Sequence, residues 1–138
     1  MSIYKGKAIR SMGDQIVEGD IVVTKEPITL LGFVDTKSGK ITQPDHELDG
    51  ISIEGKIFVF PRGIGSTVGP YTLLNLVKNG KGPIAIINRE SDQGTVAGCS
   101  VARIPMAYGF EEDPTIFLKS GQNIKLTIHS GNSEIEIN

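Results

Sequence analysis

The chain has 138 residues, a length that suits one folded domain with one hydrophobic core. Apolar residues make up 38% and charged residues 22%, and the formal net charge is −2, so neither a disordered chain nor a basic nucleic-acid-binding protein is indicated. The apolar runs are far shorter than the roughly 20 residues that span a bilayer, and the first residues do not resemble a secretory signal. We therefore expect a cytoplasmic protein with no membrane or nucleic-acid partner.

Alternating or β-branched residues predict strands near both ends of the chain. The predicted strands are 3–9, 20–24, 30–34, 115–121, 123–129 and 133–138. Polar segments at 35–40 and 43–50 predict a turn and a loop between the early strands. These segments would add β elements from both termini to whatever the middle of the chain forms.

The middle of the chain predicts a βαβ unit. The apolar run KIFVF (56–60) predicts a buried strand, and PIAIINRE (83–90) predicts a second one. Between them, PYTLLNLVK (70–78) predicts a helix, with a proline in its first turn and Gly80 available to end it. A short second helix at 94–102 and a strand at 104–109 follow. The expected fold class is α/β, with a mixed sheet in a single domain over 1–138.

The loop PRGIGSTVGPY (61–71) joins the first of these strands to the helix. Gly63 and Gly65 allow the backbone to approach a ligand closely, and Arg62 suits a carboxylate or phosphate. Ser66 and Thr67 add hydroxyl groups just before a helix N-terminus, where anions are favoured. The loop therefore suits an oxyanion site with one hydroxyl available for proton transfer. The alternative is a glycine-rich turn in which Ser66 or Thr67 caps the helix.

Known phosphate and hydrolase motifs do not match this loop. A Walker loop requires a lysine that is absent, and a GxGxxG fingerprint requires glycine where Val68 stands. A GxSxG elbow fails because Gly65 directly precedes Ser66.

Few residues in this chain could bind a metal. It contains one cysteine, Cys99, and two distant histidines, His46 and His129. One thiol cannot hold an iron–sulfur cluster or a structural zinc ion, so we expect no metal ligands here and any metal in a partner chain. We expect Cys99 to be a buried apolar filler and His46 to lie in a solvated loop.

The middle of the chain contains VFP, the Gly/Ser loop, LLNLVKNGK and AIINRESD in this order, with DGISIEGK (49–56) upstream and IP downstream. In this combination the chain resembles the small, swivelling-domain subunit of the aconitase X family. This resemblance covers more than half of the chain. It implies a mobile β/β/α domain in a heteromeric hydro-lyase that dehydrates a hydroxy acid. It further implies a large subunit that carries an iron–sulfur cluster and most substrate ligands. The family's loop serine, the implied proton acceptor, corresponds to Ser66, although Thr67 stands where the familiar loop has another serine.

Polar residues follow the second buried strand of the predicted unit. If the two strands are parallel, Asn88, Arg89, Glu90 and Asp92 share a sheet edge with the Ser66 loop. They would then contact substrate or the large subunit, or else form a solvated loop. Arg62 and the glycine amides favour a phosphorylated substrate. A hydroxyproline dehydratase subunit and a non-catalytic anion-binding or regulatory module remain alternatives.

Overall fold

The computed structural model describes residues 3–10, 13–30, 32–64 and 70–138. The elements along the chain are β1 (Ile3–Ala8), β2 (Gln15–Val23), β3 (Ile28–Thr29), β4 (Ile57–Phe60), β5 (Gly63–Ile64), α1 (Pro70–Lys78), β6 (Ala85–Asn88), α2 (Gln93–Ala102), β7 (Met106–Tyr108), α3 (Pro114–Phe117), β8 (Asn123–His129) and β9 (Asn132–Ile137). The predicted site residues Gly65, Ser66 and Thr67 lie outside the described residues.

Within the described residues, seven strands close into a barrel in the order β1-β7-β6-β4-β2-β8-β9. Strands β2, β4, β6 and β7 are parallel neighbours, whereas β1, β8 and β9 complete the barrel through antiparallel pairs. The short strands β3 and β5 form a separate parallel pair. The expected mixed sheet, with β elements from both termini, is confirmed.

Two helical crossovers connect the parallel strands of the barrel. Helix α1 links β4 to β6, and α2 links β6 to β7, so the predicted βαβ unit is confirmed and followed by a second one. Residue Gly80, with φ of 71°, follows the end of α1, and its N–H donates to the carbonyl of Val77. Helices α1 and α2 pack against each other on the outside of the barrel.

The burial of β4 shows why the parallel strands have continuous apolar sequences. Its residues Ile57 and Val59 face the barrel interior, whereas Phe58 and Phe60 face the second core under the helices. Both faces are covered, so all four side chains are fully buried. Strand β8 alternates between buried and more exposed residues, as expected for an antiparallel strand with one solvent-facing side.

Two predicted strands are wrong. At 30–34, residues 32 and 33 form a turn and Val34 makes only an isolated bridge with Ile41. At 115–121, the chain forms the short helix α3 in place of the start of a strand. The side chain of Asp113 accepts a hydrogen bond from Thr115 N–H, and a proline follows directly. This local N-cap outweighs the β-branched sequence of the segment.

Candidate active site

The carboxyl ends of the four parallel strands meet at one edge of the barrel. In an α/β sheet this edge is where ligands commonly bind. Strand β4 ends here and leads through Pro61 and Arg62 into β5, after which come positions 65–69. Strand β6, the neighbour of β4, ends at the same edge, where Asn88 is in register with Phe60. The predicted edge shared by the loop and the residues after β6 therefore exists.

The chain after β6 binds the chain after β4 through a series of hydrogen bonds. The Asn88 side-chain amide donates to the carbonyl of Phe60 at 3.1 Å. The backbone N–H groups of Arg89 and Glu90 both donate to the carbonyl of Pro61, at 3.1 and 3.2 Å. These contacts hold residues 60–63, which we call the stem, at a defined position on the edge.

Asp92 makes the side-chain contact to the far end of the stem. Its Oδ1 accepts a hydrogen bond from Gly63 N–H at 2.7 Å. Its Oδ2 accepts from Thr95 N–H at 2.9 Å and from the Thr95 hydroxyl at 3.0 Å, so the same carboxylate is the N-cap of α2. Asp92 thus ties the stem to a helix that begins 30 residues later in the chain, at Gln93.

Contact with this cap explains why residue 63 is glycine. A Cβ added to Gly63 would lie 2.7 Å from the Thr95 hydroxyl oxygen and 3.1 Å from Asp92 Oδ2. The sequence suggested that glycine here lets a ligand approach closely. The structure gives a second reason for glycine at this position, because the N-cap of α2 already occupies the space that a side chain would need.

On its other side the stem is bound by β3, and the loop at 43–50 in turn binds the chain next to β3. The Ile28 N–H donates to the carbonyl of Arg62 at 3.2 Å and aligns β3 with β5. His46 Nε2–H donates to the carbonyl of Pro27, and its Nδ1 accepts from Leu48 N–H at 3.0 Å. These two bonds fix the orientation of the ring. The expected solvated position of His46 is wrong, because the loop folds back and leaves it 7% exposed.

Sequence reasoning missed a polar pair at the end of β2. Thr24 is buried, and its hydroxyl donates to Glu47 Oε1, which also accepts from Lys25 N–H at 3.1 Å. The Thr24 bond is the largest cause that lowers the pKa of Glu47, and the Lys25 bond adds to it. The position of a threonine directly after a buried parallel strand was the available signal for this pair.

The predicted contact residues differ in how they could reach a ligand. Arg62 is exposed, and Arg89 is exposed beside Glu90, with Nη2 to Oε1 at 3.0 Å. Asn88 is fully buried, and its Oδ1 has no hydrogen-bond partner among the described residues. Asn88 and Asp92 therefore act on the stem itself. Arg62 is an exposed positive charge at this edge, whereas Arg89 forms ion pairs with Glu90 and with Asp113, the latter at 3.7 Å.

Cys99 is fully buried against the outer core. Burial, and secondly the nearby Asp92 charge, raises the pKa of its thiol well above the usual range, so its expected role as an apolar filler is confirmed. The described residues contain no group of three or more His, Cys, Asp or Glu side chains that could hold a metal ion. They therefore do not fit an iron–sulfur cluster. Across the described ranges, no helix is long and apolar enough to cross a membrane.

Comparison with known proteins assigns the chain to a family. A model of the aconitase X swivel domain matches residues 5–137. The chain therefore belongs to the aconitase X swivel domain family, as its sequence resemblance implied. The crystal structure of aconitase X from Thermococcus kodakaraensis in its holo form has a TM-score of 0.87 and 38% identity, covering 99% of both chains.

Two sequence relatives carry a more specific name. The phosphomevalonate dehydratase small subunit of Pyrococcus horikoshii is 43% identical over 131 residues, which is 95% of this chain and 93% of that protein. The protein of the same name from Methanosarcina mazei is 39% identical over 132 residues, covering 96% of this chain and 90% of its own length. The similarity thus extends over nearly the whole chain.

Proposed function

We propose that this chain is the small subunit of phosphomevalonate dehydratase, a cytoplasmic hydro-lyase that is active only with its large subunit. The reaction converts (R)-5-phosphomevalonate to trans-anhydromevalonate 5-phosphate and water, a step of a modified mevalonate pathway. The observation that carries the proposal is identity of 39–43% to small subunits of that name over 95–96% of this chain. The shared barrel supports it independently.

The part of this chain in the reaction is to accept a proton. Dehydration removes a proton from one carbon and a hydroxyl group from its neighbour, and a double bond forms between them. We assign the proton to the Ser66 hydroxyl oxygen, which must be ionised to act as a base. The exposed Arg62 guanidinium and the N-terminal end of α1, which begins at Pro70, favour a negative charge nearby.

Binding of the substrate anion is the second role of this edge. Arg62, Gly63, Gly65 and Thr67 form the substrate-binding set in this proposal, and Arg89 is a further contact to substrate or to the large subunit. The exposed arginines at the carboxyl edge support this assignment, because a guanidinium binds phosphate and carboxylate oxygens in a bidentate manner.

The iron–sulfur cluster that the family implies belongs in the large subunit in this proposal. Such a cluster would supply Lewis-acid chemistry at the leaving hydroxyl group when bound. The described residues of this chain offer one buried thiol and no cluster of metal ligands, so its own chemistry is limited to binding and to proton transfer.

Reconstitution with the large subunit tests the proposal directly. The complex should release water from 5-phosphomevalonate, and Ser66→Ala should leave the complex intact while lowering kcat by about 10²–10⁴-fold. Ser38→Ala is the matched serine control and should leave kcat unchanged, because its turn at 35–40 contacts Asn79, just past the end of α1 that lies away from the loop. Full activity of the Ser66→Ala complex would remove this serine from the proton-acceptor role.

The same assay separates the alternatives. Turnover of cis-3-hydroxy-L-proline without turnover of 5-phosphomevalonate would assign the chain to a hydroxyproline dehydratase. A stable complex that turns over neither substrate would indicate a non-catalytic anion-binding or regulatory module. A loss of kcat in Thr67→Val that exceeds the loss in Ser66→Ala would transfer the proton-acceptor role to the neighbouring hydroxyl.

A further inference from the structure

We infer that Asp92 is a positioning residue, which fixes the backbone at Gly63 and through it the entry to the Ser66 loop, without contacting the substrate. This inference rests on the proposed function, because it concerns the loop that carries the proposed proton acceptor. It assigns Asp92 a role different from the direct substrate or partner contact that its place at the sheet edge suggested.

The hydrogen bonds of Asp92 leave little capacity for a ligand. Its two carboxylate oxygens accept three hydrogen bonds, from Gly63 N–H, Thr95 N–H and the Thr95 hydroxyl, at 2.7, 2.9 and 3.0 Å. Hydrogen bonds to an ionised acceptor are about twice as strong as neutral ones. Because the Asp92 carboxylate is half-buried and both of its oxygens already accept hydrogen bonds, its main role is to hold the stem and α2 together.

Gly63 is the point at which Asp92 affects the loop. On one side of the stem, Ile28 N–H donates to the carbonyl of Arg62, and on the other Asp92 accepts from Gly63 N–H. Strand β5 ends one residue later, at Ile64. Of the bonds described at Gly63 itself, the one to Asp92 is made by a side chain, so it is the one that a substitution can remove without changing the pairing of β5 with β3.

Substitution of Asp92 by serine separates positioning from helix capping. Serine is a good N-cap and can accept from Thr95 N–H, but its shorter side chain cannot also reach Gly63 N–H. In the reconstituted complex we expect Asp92→Ser to unfold at nearly the wild-type temperature. Its kcat should fall about 10- to 100-fold, the loss expected from misplacing a reacting group by about 1 Å.

Thr95→Val is the matched control for the lost hydroxyl bond. It removes the Thr95 hydroxyl from Asp92 Oδ2 at nearly constant volume and leaves the Gly63 bond in place. We expect its kcat to stay within about 2-fold of wild type, below the losses that a misplaced reacting group produces. A loss of kcat equal to that of Asp92→Ser would show that the Thr95 hydroxyl contact, and not the bond to Gly63, carries the effect.

Hydrogen exchange in the complex gives a readout independent of activity. Asp92→Ser should speed exchange in peptides that cover Gly63 and leave peptides that cover Thr95 protected. Unchanged exchange at Gly63 would overturn the inference, even if the variant also lost stability.

The kinetic outcomes distinguish this inference from the proposed function. A raised KM with unchanged kcat in Asp92→Ser would mean that Asp92 serves substrate binding, directly or through Gly63, and not the placement of Ser66, and wild-type values for both would mean that it does not position the loop. Either result overturns the inference while an inactive Ser66→Ala complex still supports the function. An active Ser66→Ala complex instead removes the proposed proton acceptor, whatever Asp92 does.

Discussion

Individual polar residues at the carboxyl edge are mainly engaged with one another. His46 and Glu47 from the 43–50 loop bind the chain on either side of Lys25, and Asp92 binds Gly63. Each of these contacts joins residues that are distant in sequence. Together they fix the loops at the carboxyl edge of the barrel relative to one another, although the strands and helices are short. Arg62 is exposed toward a ligand or a partner, whereas Arg89 is ion-paired with Glu90 and Asp113.

The pH dependence of stability should reveal the Glu47 contact. Its pKa in the fold lies below the ordinary value of 4.5, so its stabilising contribution is complete above that value and is lost as the pH falls through the folded pKa. Glu47→Gln should therefore be less stable than wild type at neutral pH, with a gap that narrows in acid. Urea denaturation from neutral to acidic pH measures the difference in the free energy of unfolding between the two proteins. A difference that grows in acid would contradict the prediction.

The exposed Glu112→Gln is the matched control for this measurement. Its side chain makes no hydrogen bond or ion pair with another described residue, so the same change of charge occurs without loss of a contact. The Glu47 effect should be modest in size, since the carboxylate is exposed and screened by solvent.

At the scale of elements, β5 and α2 pack so closely that one methyl group should disturb them. Gly63→Ala places a Cβ 2.7 Å from the oxygen of the buried Thr95, so we expect a loss of about 1–3 kcal/mol in the free energy of unfolding. Adding Thr95→Ala removes that oxygen and should recover part of the loss. A double-mutant cycle by urea denaturation measures the coupling, and strictly additive effects would show that the two residues do not meet.

At the scale of the whole molecule, β9 closes the barrel by pairing with both β1 and β8. Ile135 of β9 is fully buried in the barrel interior, next to residues from the other strands. Ile135→Ala should lower the free energy of unfolding by about 2–5 kcal/mol, because it leaves a cavity where both ends of the chain meet.

Glu134→Ala is the control for that change. Glu134 lies on the same strand with its side chain exposed, so its truncation should alter stability by less than about 0.5 kcal/mol. Thermal or urea unfolding of the two variants compares interior and exterior positions of one strand. Equal losses would mean that β9 does not contribute its inner face to the core.

Local signals predicted the central unit and the strands at both chain ends well, and they failed at two segments between these regions. Strands β4 and β6 and helix α1 were found because continuous apolar runs, a first-turn proline and a following glycine act over a few residues. The predicted strand at 30–34 was wrong because Gly32, with φ of 83°, lies in a turn that interrupts the extended chain. The segment at 115–121 was wrong because the Asp113 cap outweighed β propensity.

The candidate site was predicted in its location and only partly in its contacts. Parallel pairing of β4 with β6 placed Asn88 and Asp92 beside the stem, as their positions after a buried strand suggested. The burial of His46 and the Thr24–Glu47 pair were not predicted, because both depend on how the 43–50 loop folds back. Ligand approach alone did not account for the glycine at 63, which also has to accommodate Thr95.

The amino-acid sequence by itself indicated the family through its resemblance, and composition and short-range pattern were enough for the strand–loop–helix–strand unit and for the single cysteine, too few for a metal cluster. Tertiary structure alone decided that the barrel closes and that one carboxylate joins Gly63 to α2. The physical reason is that a hydrogen bond between residues 29 positions apart depends on strand order and register, which are set by the packing of the whole chain.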